Sequence, residues 1–328
     1  MAPDNDGPVF RAEHKHVEIE GIGMRHGILK RLVDTVNLSE IDRLYRKTRR
    51  RVGRRGNNIT NYIRAWIIQR LKNIPSERQL TRLLKTDGEL RHICGFRKAV
   101  CNSSFCRARK RFTLRDVESL FEKLVQMAIK AGIADAKIVA IDSTDFEANC
   151  KGNKPFSKRI DTCARWGHST IKGRVFGYKA HILADVKSEL PLAVVVLPAN
   201  VNDAKAFFEV FAKLPSNILA SMKKLLADAG YDSTDIRAKL RDIESVIAVN
   251  GRGFYKSRTP LDEDYPKRWA VERVNSRAKE ELSLDGFKMY GLWAAKFHAT
   301  IVLCSMLYAA IGSKLAGFAN WRSIVNLR

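Results

Sequence analysis

The spacing of apolar residues changes at Asp135, and this change divides the chain into two parts. Before it, apolar residues recur at helical spacing, and the helix-capping residues Ser76 and Thr113 stand in front of two such segments. After it, apolar residues form short continuous runs that are typical of buried strands. We therefore predict an all-helical basic domain over residues 1–132 and an α/β domain over residues 133–328.

The apolar runs of the second part predict a mixed sheet. The predicted strands cover residues 137–141, 175–184, 192–197, 225–227 and 246–249. Helical patterns separate the last three strands, and a long helix from about Pro266 to Leu282 follows them. Three antiparallel strands followed by parallel strands with helical crossovers form a mixed α/β sheet, in the order found in ribonuclease-H-like domains.

Three acidic residues occupy informative places in this order. Asp142 follows the first predicted strand, Asp228 follows the fourth, and Glu272 lies in the long helix. Acids at the carboxyl ends of strands meet at one rim of a sheet, and Mg²⁺ prefers such hard oxygen ligands. Converging carboxylates can hold the two ions that phosphoryl transfer commonly uses. The alternative for each aspartate is a turn or cap residue.

The long helix places cations beside one of these acids. Tyr265, Arg268, Glu272 and Lys279 project from one side of a continuous α-helix. An acid flanked by cations suits a metal ligand next to a DNA phosphodiester. The alternative is a solvated face on which Arg268 and Glu272 form an ordinary ion pair.

The net charge of +24 points to a polyanionic partner, most often nucleic acid. Its densest part is the run from Arg43 to Arg55, with eight Lys and Arg residues and no acid. We predict that Arg49, Arg50 and Arg51 in this run contact DNA phosphates, although a solvated basic loop would have the same composition. A membrane surface is a poorer partner because the sequence has no amphipathic anchor helix or lipidation signal.

Secretion, membrane spanning and zinc binding are all disfavoured. The first ten residues lack a signal-peptide pattern, and the longest apolar stretch, 299–312, is too short to cross a bilayer. Six cysteines without a secretory signal predict free thiols in the cytosol. Their irregular spacing favours buried or incidental thiols over zinc ligands. The residues weighed as zinc ligands are His92, Cys94, Cys101 and Cys106, and in a second, loop-like segment Cys150, Cys163 and His168.

The sequence resembles the insertion-sequence transposases of the DDE type. The matching blocks are residues 140–145, 177–181, 200–203 and 226–231. The Y-x2-R-x3-E-x6-K signature of that family is matched by Tyr265, Arg268, Glu272 and Lys279. This resemblance implies a ribonuclease-H-like core in which Asp142, Asp228 and Glu272 hold two Mg²⁺ ions, with Mn²⁺ able to substitute. It implies that Tyr265, Arg268 and Lys279 contact DNA near the cleavage site.

The function implied by the resemblance is DNA transposition. The enzyme would cleave the ends of its element and join the freed 3′-hydroxyl to target DNA. Its DNA partners would be the double-stranded terminal inverted repeats of the element and the target DNA. Its protein partner would be a second copy of the chain, in a homodimer. The protein would act in the nucleoid of a prokaryotic cytoplasm and not at a membrane. Two alternatives are a ribonuclease-H-like nuclease or resolvase without strand transfer, and a non-catalytic DNA-binding protein derived from a transposase.

Overall fold

A computed structural model describes most of the chain. The described residues are 26–47, 56–150, 161–169, 173–249 and 262–324. Arg49, Arg50 and Arg51, which we predicted to contact phosphates, lie outside them.

Every described element before Ile138 is a helix. These helices are α1 (26–35), α2 (Ser39–Lys47), α3 (Ile59–Leu71), α4 (Glu77–Thr86), α5 (Gly88–Ile93), α6 (Asn102–Arg111) and α7 (Leu114–Lys130). The predicted caps are confirmed, since Ser76 accepts a hydrogen bond from the Gln79 N–H at the start of α4 and Thr113 forms a capping box with Asp116 at the start of α7. Gly132, at φ +65°, follows the end of α7.

Helix α3 is buried on almost all sides. Its Tyr62 and Trp66 pack edge-on against Phe105 of α6, with ring centroids 5.2 and 6.2 Å away. Its other side is covered from a distant part of the chain, where Phe297 lies 5.1 Å from Trp66. A helix enclosed from both sides needs apolar residues all round.

The second part of the chain forms a six-stranded mixed sheet flanked by helices. Its strands are β1 (Ile138–Glu147), β2 (Arg165–Ser169), β3 (Gly173–Asp185), β4 (Leu190–Pro198), β5 (Lys224–Ala227) and β6 (Glu244–Ile247). β1 pairs antiparallel with β3 and parallel with β5, which pairs parallel with β6. The predicted hairpin is the antiparallel pair β3–β4. Between β4 and β6 lie α8 (Asp203–Ala212), α9 (Ser216–Ser221) and α10 (Thr234–Lys239).

Strand β2 was not predicted and contains His168, which we had placed in a loop. It pairs only with the first residues of β3, and its sequence has no apolar run. A side chain at Gly167 would collide with the backbone carbonyl of Ala199, 2.3 Å from the position of its Cβ. The strand therefore depends on a glycine that permits close approach, a feature that hydrophobic spacing does not reveal.

The predicted end of the first strand at Asp142 is wrong. β1 continues to Glu147 because β3 pairs with it as far as Gly177. On its other side, the pairing with β5 stops at Ile141 and Ala227. Asp142 therefore lies inside the strand but just beyond its last residue paired with β5.

The predicted helix from Pro266 to Leu282 is helical but changes type twice. It begins as a 3₁₀ turn (Tyr265–Arg268), continues as α11 (Trp269–Ser276) and ends in a π-helical segment (Arg277–Glu281). A π turn holds more residues than an α turn, so residues after Ser276 are rotated from the positions they would have on one continuous α-helix.

The last helix, α12 (Leu292–Leu315), has 24 residues and is long and apolar enough to cross a membrane. It extends well beyond the apolar stretch 299–312. Our expectation that this segment is too short to cross a membrane is therefore wrong. However, 94% of its apolar 18-residue segment is buried inside the protein. It packs against α3, α7, β3 and β4 and is a core helix in this structure.

We expect Asp161→Ala to destabilise the fold by about 3 kcal/mol. The Asp161 carboxylate is buried and accepts hydrogen bonds from the Tyr178 hydroxyl (2.7 Å), the Gly291 N–H (2.8 Å) and the N–H groups of Cys163 and Ala164. Its loss leaves four donors without an acceptor. Urea unfolding measures the change.

The matched control is Asp242→Ala, because the Asp242 side chain is 89% exposed. An Asp161→Ala variant as stable as this control would show that the four donors find other acceptors.

Candidate active site

The end of the β1–β5 pairing brings Asp142 and Asp228 side by side. Ile141 and Ala227 are the last residues in register, and the next residue on each strand is an aspartate. Adjacent parallel strands lie about 4.8 Å apart. The two carboxyl groups therefore start from neighbouring backbone positions at one edge of the sheet, as the acid-after-strand pattern predicted.

Helix α11 adds Glu272 and Asn275 to this edge. The helix packs on β1 and β3, and the Asn275 amide N–H donates to Oδ2 of Asp142 at 2.9 Å. Glu272 lies one turn earlier on the same helix face, 45% exposed, and its charge acts on Asp142. Asp228 and Glu272 are therefore both near enough for their charges to act on Asp142.

Arg268 is a cation whose charge acts on all three acids. Its guanidinium pairs with the carboxylate of Glu272, and its charge acts on both Asp142 and Asp228. The ion pair of the alternative interpretation is therefore present, with an Arg268 side chain that is 16% exposed and a Glu272 side chain that is 45% exposed. Its guanidinium also lies 5.8 Å from the ring centre of Tyr265.

Burial, with a contribution from neighbouring negative charges, raises the pKa values of Asp142 and Asp228. Burial, and then the negative charges of Asp228 and Glu272, raise the pKa of Asp142 to about 7, although Arg268 opposes this. Burial and the charge of Asp203 likewise raise the pKa of Asp228, against Arg268 and Lys179. The site therefore holds more negative charge than its own cations neutralise.

This excess of negative charge fits a divalent cation. Carboxylate oxygens are the hard ligands that Mg²⁺ prefers, and a cation among them would reverse the rise in pKa. Among the described residues, however, no three His, Cys, Asp or Glu side chains are grouped as a ready-made metal site. Two of the carboxylates are engaged in this structure, Asp142 by Asn275 and Glu272 by Arg268.

A second polar cluster lies on the opposite face of the sheet, beside Asp228. Asp203 at the start of α8 pairs with Lys179 of β3 at 3.0 Å and lies 3.6 Å from His181. Gly230 separates Asp203 from Asp228: a Cβ there would lie 3.2 and 3.1 Å from their carboxylate oxygens. The absence of a side chain at Gly230 lets the two acids approach each other.

Asp145 and Lys279 do not join Asp142. Asp145 is three residues further along β1, so it points to the opposite face, where it is the cross-strand neighbour of Lys179. Lys279 lies in the π-helical segment, half-buried, and contacts none of the three acids in the part of the chain that the structure describes. The common helix face that we expected for Lys279 and Glu272 assumed a continuous α-helix, which the π turn interrupts.

Sequence reasoning overlooked Asn275, and it noted Lys179 and Asp203 only as members of the matching blocks 177–181 and 200–203 without a role in the site. Asn275 could have been found, because it lies three residues after Glu272 on the face that meets the sheet. Lys179 and His181 alternate with buried residues on β3, which places them on one face. The approach of Asp203 to Asp228 depends on how α8 packs and left no signal in the sequence.

The cysteines weighed for zinc are dispersed. Cys94 is buried, Cys101 is exposed and Cys106 is partly buried. Burial raises the pKa of the Cys94 thiol to about 12, which suits a structural thiol. Within the described ranges, none of these cysteines belongs to a group of three possible metal ligands.

Two protein-family models match the chain. The model described as "Transposase DDE domain" matches residues 133–308, and the model described as "Transposase domain (DUF772)" matches residues 18–111. No curated protein matches the sequence.

Two solved structures of transposases are weakly similar to the chain. One is the piggyBac transposase in a synaptic complex with hairpin DNA, at 10% identity and a TM-score of 0.44, covering 92% of this chain and 76% of that one. The other is the Mos1 transposase in a paired-end complex with the left transposon end, at 10% identity and a TM-score of 0.22, covering 76% and 88%.

We expect Asp142→Asn to stabilise the metal-free protein more at about pH 8 than at about pH 5. The native carboxyl has a pKa of about 7, whereas an unfolded aspartate ionises near 4. Between these values the native state binds more protons, so the stability of the wild type falls as the pH rises. An amide at this position does not ionise, so the Asp142→Asn variant does not show this fall in stability with rising pH. Thermal unfolding in a chelator measures the difference.

The exposed residue Asp235 supplies the control variant, Asp235→Asn. A stabilisation by Asp142→Asn that is the same at both pH values would contradict the raised pKa.

Proposed function

Because the chain belongs to the family of transposases with a DDE domain, whose model spans more than half of it, we propose that it cleaves the ends of a DNA element and joins the 3′-hydroxyl to target DNA. One observation carries the proposal: Asp142 and Asp228 are the next residues after the last register pair of β1 and β5, with the charge of Glu272 acting on Asp142. Acids so placed on a rigid sheet suit phosphoryl transfer.

The sheet topology supports a ribonuclease-H-like catalytic domain. Apart from β2, the elements follow one another along the chain as the sequence predicted, and the strands lie side by side in the order β4–β3–β1–β5–β6, antiparallel among the first three and parallel from β1 to β6. The added β2 extends only the outer part of β3. We propose residues 133–328 as this domain, preceded by a helical DNA-binding domain over 1–132.

The residues of the site divide into acids and the groups that position them. Asn275 orients the carboxylate of Asp142 by its hydrogen bond, and the Gly230 N–H donates to Asp228 at 3.0 Å. Arg268 is within reach of the acids and offers a planar, bidentate cation to a phosphate oxygen. The Lys179–Asp203 ion pair supports Asp228 from the other face.

We propose that Asp142, Asp228 and Glu272 hold two Mg²⁺ ions, which Mn²⁺ can replace. When bound, the ions would supply Lewis acidity and neutralise charge on the scissile phosphate. The protein's part is to keep the ligands at fixed positions on β1, β5 and α11, so that no reorganisation is needed during the reaction.

DNA is the proposed partner, as the element's terminal repeats and as target. Tyr265 and Arg268 lie next to Glu272 and are proposed to contact the strand that is cut, with Lys279 further along the same helix. Bringing two element ends together requires at least two copies of the chain, so we propose a homodimer on DNA in a prokaryotic cytoplasm.

We expect Asp142→Ala, Asp228→Ala and Glu272→Ala each to abolish DNA cleavage while leaving DNA binding largely intact. The three acids act as a unit on the metal ions, whereas affinity for DNA comes from Lys and Arg. The assay incubates the purified protein with DNA spanning its element end and Mg²⁺, and maps the 3′ and 5′ ends of each product. The same assay with added target DNA detects strand transfer.

Glu280→Ala is the matched control, since Glu280 is an exposed carboxylate two turns after Glu272. It should cleave normally. A triad variant that cleaves at the wild-type rate would remove its residue from the proposed site, and cleavage without joining would favour a nuclease.

We expect Lys279→Ala to slow cleavage or joining at saturating DNA at least tenfold, or about 1.4 kcal/mol of barrier. Its ammonium group has no partner among the described residues and is available to a phosphate. Single-turnover rates with pre-bound DNA measure the effect, with circular dichroism to verify the fold. The control is Lys223→Ala, at the opposite end of β5 from Asp228. Equal rates for the Lys279→Ala and Lys223→Ala variants would leave Lys279 without a chemical role.

A further inference from the structure

A basic groove lies among the amino-terminal helices and shares no residue with the carboxylate site. It has a volume of about 800 Å³ and runs between the start of α3, the loop before α6 and one face of α6. Four cations line it, Arg97 and Lys98 from the loop and Arg107 and Arg111 from α6, and its described lining contains no acidic residue. The groove therefore concentrates positive charge in a concave surface.

The four cations are exposed and lack acidic partners. Each is largely solvent-exposed, and in the described part of the chain none has a carboxylate within 4.0 Å. Arg107 only donates to the hydroxyl of Ser104, at 3.3 Å. By contrast, Arg109 on another side of the same helix pairs with Glu77. Arg109 on one side of α6 thus forms an ion pair within the protein, whereas Arg107 and Arg111 on the groove side have no carboxylate partner among the described residues.

This arrangement has a cost for the free protein. Arg107 and Arg111 are four residues apart on α6, and like charges at that spacing destabilise a helix. The helix dipole favours a cation in the last turn and so accounts for Arg111. It does not account for Arg97 and Lys98, which lie outside the helix. An anion in the groove would remove the repulsion among all four.

We propose that this groove binds the sugar-phosphate backbone of duplex DNA through sequence-independent contacts from Arg97, Lys98, Arg107 and Arg111. The choice of DNA as the polyanion rests on the proposed function. Guanidinium groups bind phosphates in bidentate fashion, and the Asn57 amide and Ser104 hydroxyl, which also line the groove, are the neutral groups that accompany such contacts. The groove holds DNA, and the carboxylate site cuts it.

The first test measures how DNA affinity depends on salt, with the full-length protein and a duplex of unrelated sequence, in a chelator that prevents cleavage. The double variants Arg97→Ala/Lys98→Ala and Arg107→Ala/Arg111→Ala should each reduce the slope of log K against log salt by about 1.8, which is 0.9 for each lost phosphate contact.

Lys137→Ala/Lys223→Ala is the charge-matched control. These exposed lysines lie next to each other at the start of β1 and β5, where the Lys223 N–H donates to the Lys137 carbonyl, at the opposite end of these strands from the carboxylates. This variant should keep the wild-type slope. Groove variants with the slope of the wild type, or no flatter than this control, would overturn the proposal.

The second test uses Cys101, an exposed thiol that lines the groove. Hydrogen bonds with Ser103 and Ser104 lower the pKa of Cys101 to about 6, so it reacts readily with alkylating agents at neutral pH. In a Cys163→Ser background Cys101 is the one exposed cysteine. Bound DNA should slow its alkylation several-fold, and this protection should be lost in the Arg107→Ala/Arg111→Ala variant. An alkylation rate that saturating DNA does not change would overturn the proposal.

These tests separate the groove from the proposed catalysis, because neither depends on cleavage. A protein that shows the flattened slope and the protection but cuts no DNA would keep the groove and lose the proposed transposase activity. A protein that cuts and joins DNA with an unchanged slope and an unprotected Cys101 would lose the groove alone.

Discussion

The burial of α12 between the amino-terminal helices and the sheet connects the two parts of the chain, since α12 packs against α3 and α7 on one side and β3 and β4 on the other. Phe297 of α12 reaches Trp66 in α3, and the neighbouring His298 packs against Phe146 in β1. Arg70 of α3 donates to Nδ1 of His298 at 3.3 Å, so Nε2 carries the proton and donates to the Leu284 carbonyl at 2.8 Å. Burial, and then the charge of Arg70, lower the pKa of His298 to about 3, which keeps this ring neutral. One helix thereby fixes the position of the basic groove relative to the strand that carries Asp142.

The two charged regions of the protein are opposite in sign: acids outnumber cations at the sheet edge, and the described groove lining has cations without acids. At the sheet edge, burial and then neighbouring negative charges raise the pKa values of Asp142 and Asp228. In the groove, four cations lie together without carboxylates among the described residues. Both arrangements cost stability in the isolated protein, and both costs fall when cations meet the acids and phosphates meet the groove. The complex of DNA and divalent ions that we propose supplies both at once.

The sequence predicted the order of elements well because hydrophobic spacing and caps are local signals. The runs that became β1, β5 and β6 and the caps Ser76 and Thr113 are of this kind. Features that arise from packing were missed. β2 depends on the close approach at Gly167, and the contact of Asn275 with Asp142 depends on how α11 lies on the sheet. The pairing of two acids at the sheet edge was predictable, whereas the arrangement of groups around them was not.

The π-helical segment Arg277–Glu281 has a consequence for how related chains can vary. A π turn is what results when one residue is added to an α-helix without moving either end. The helix before it, with Glu272 and Asn275, is anchored on the sheet, and Ala278 and Leu282 after the start of the turn are buried in the core. A one-residue change in length can therefore be absorbed inside this turn. The end of the helix that carries Glu272 thus keeps its position when the remainder gains or loses a residue, and a conserved number of residues between Glu272 and Lys279 need not mean a conserved distance between them.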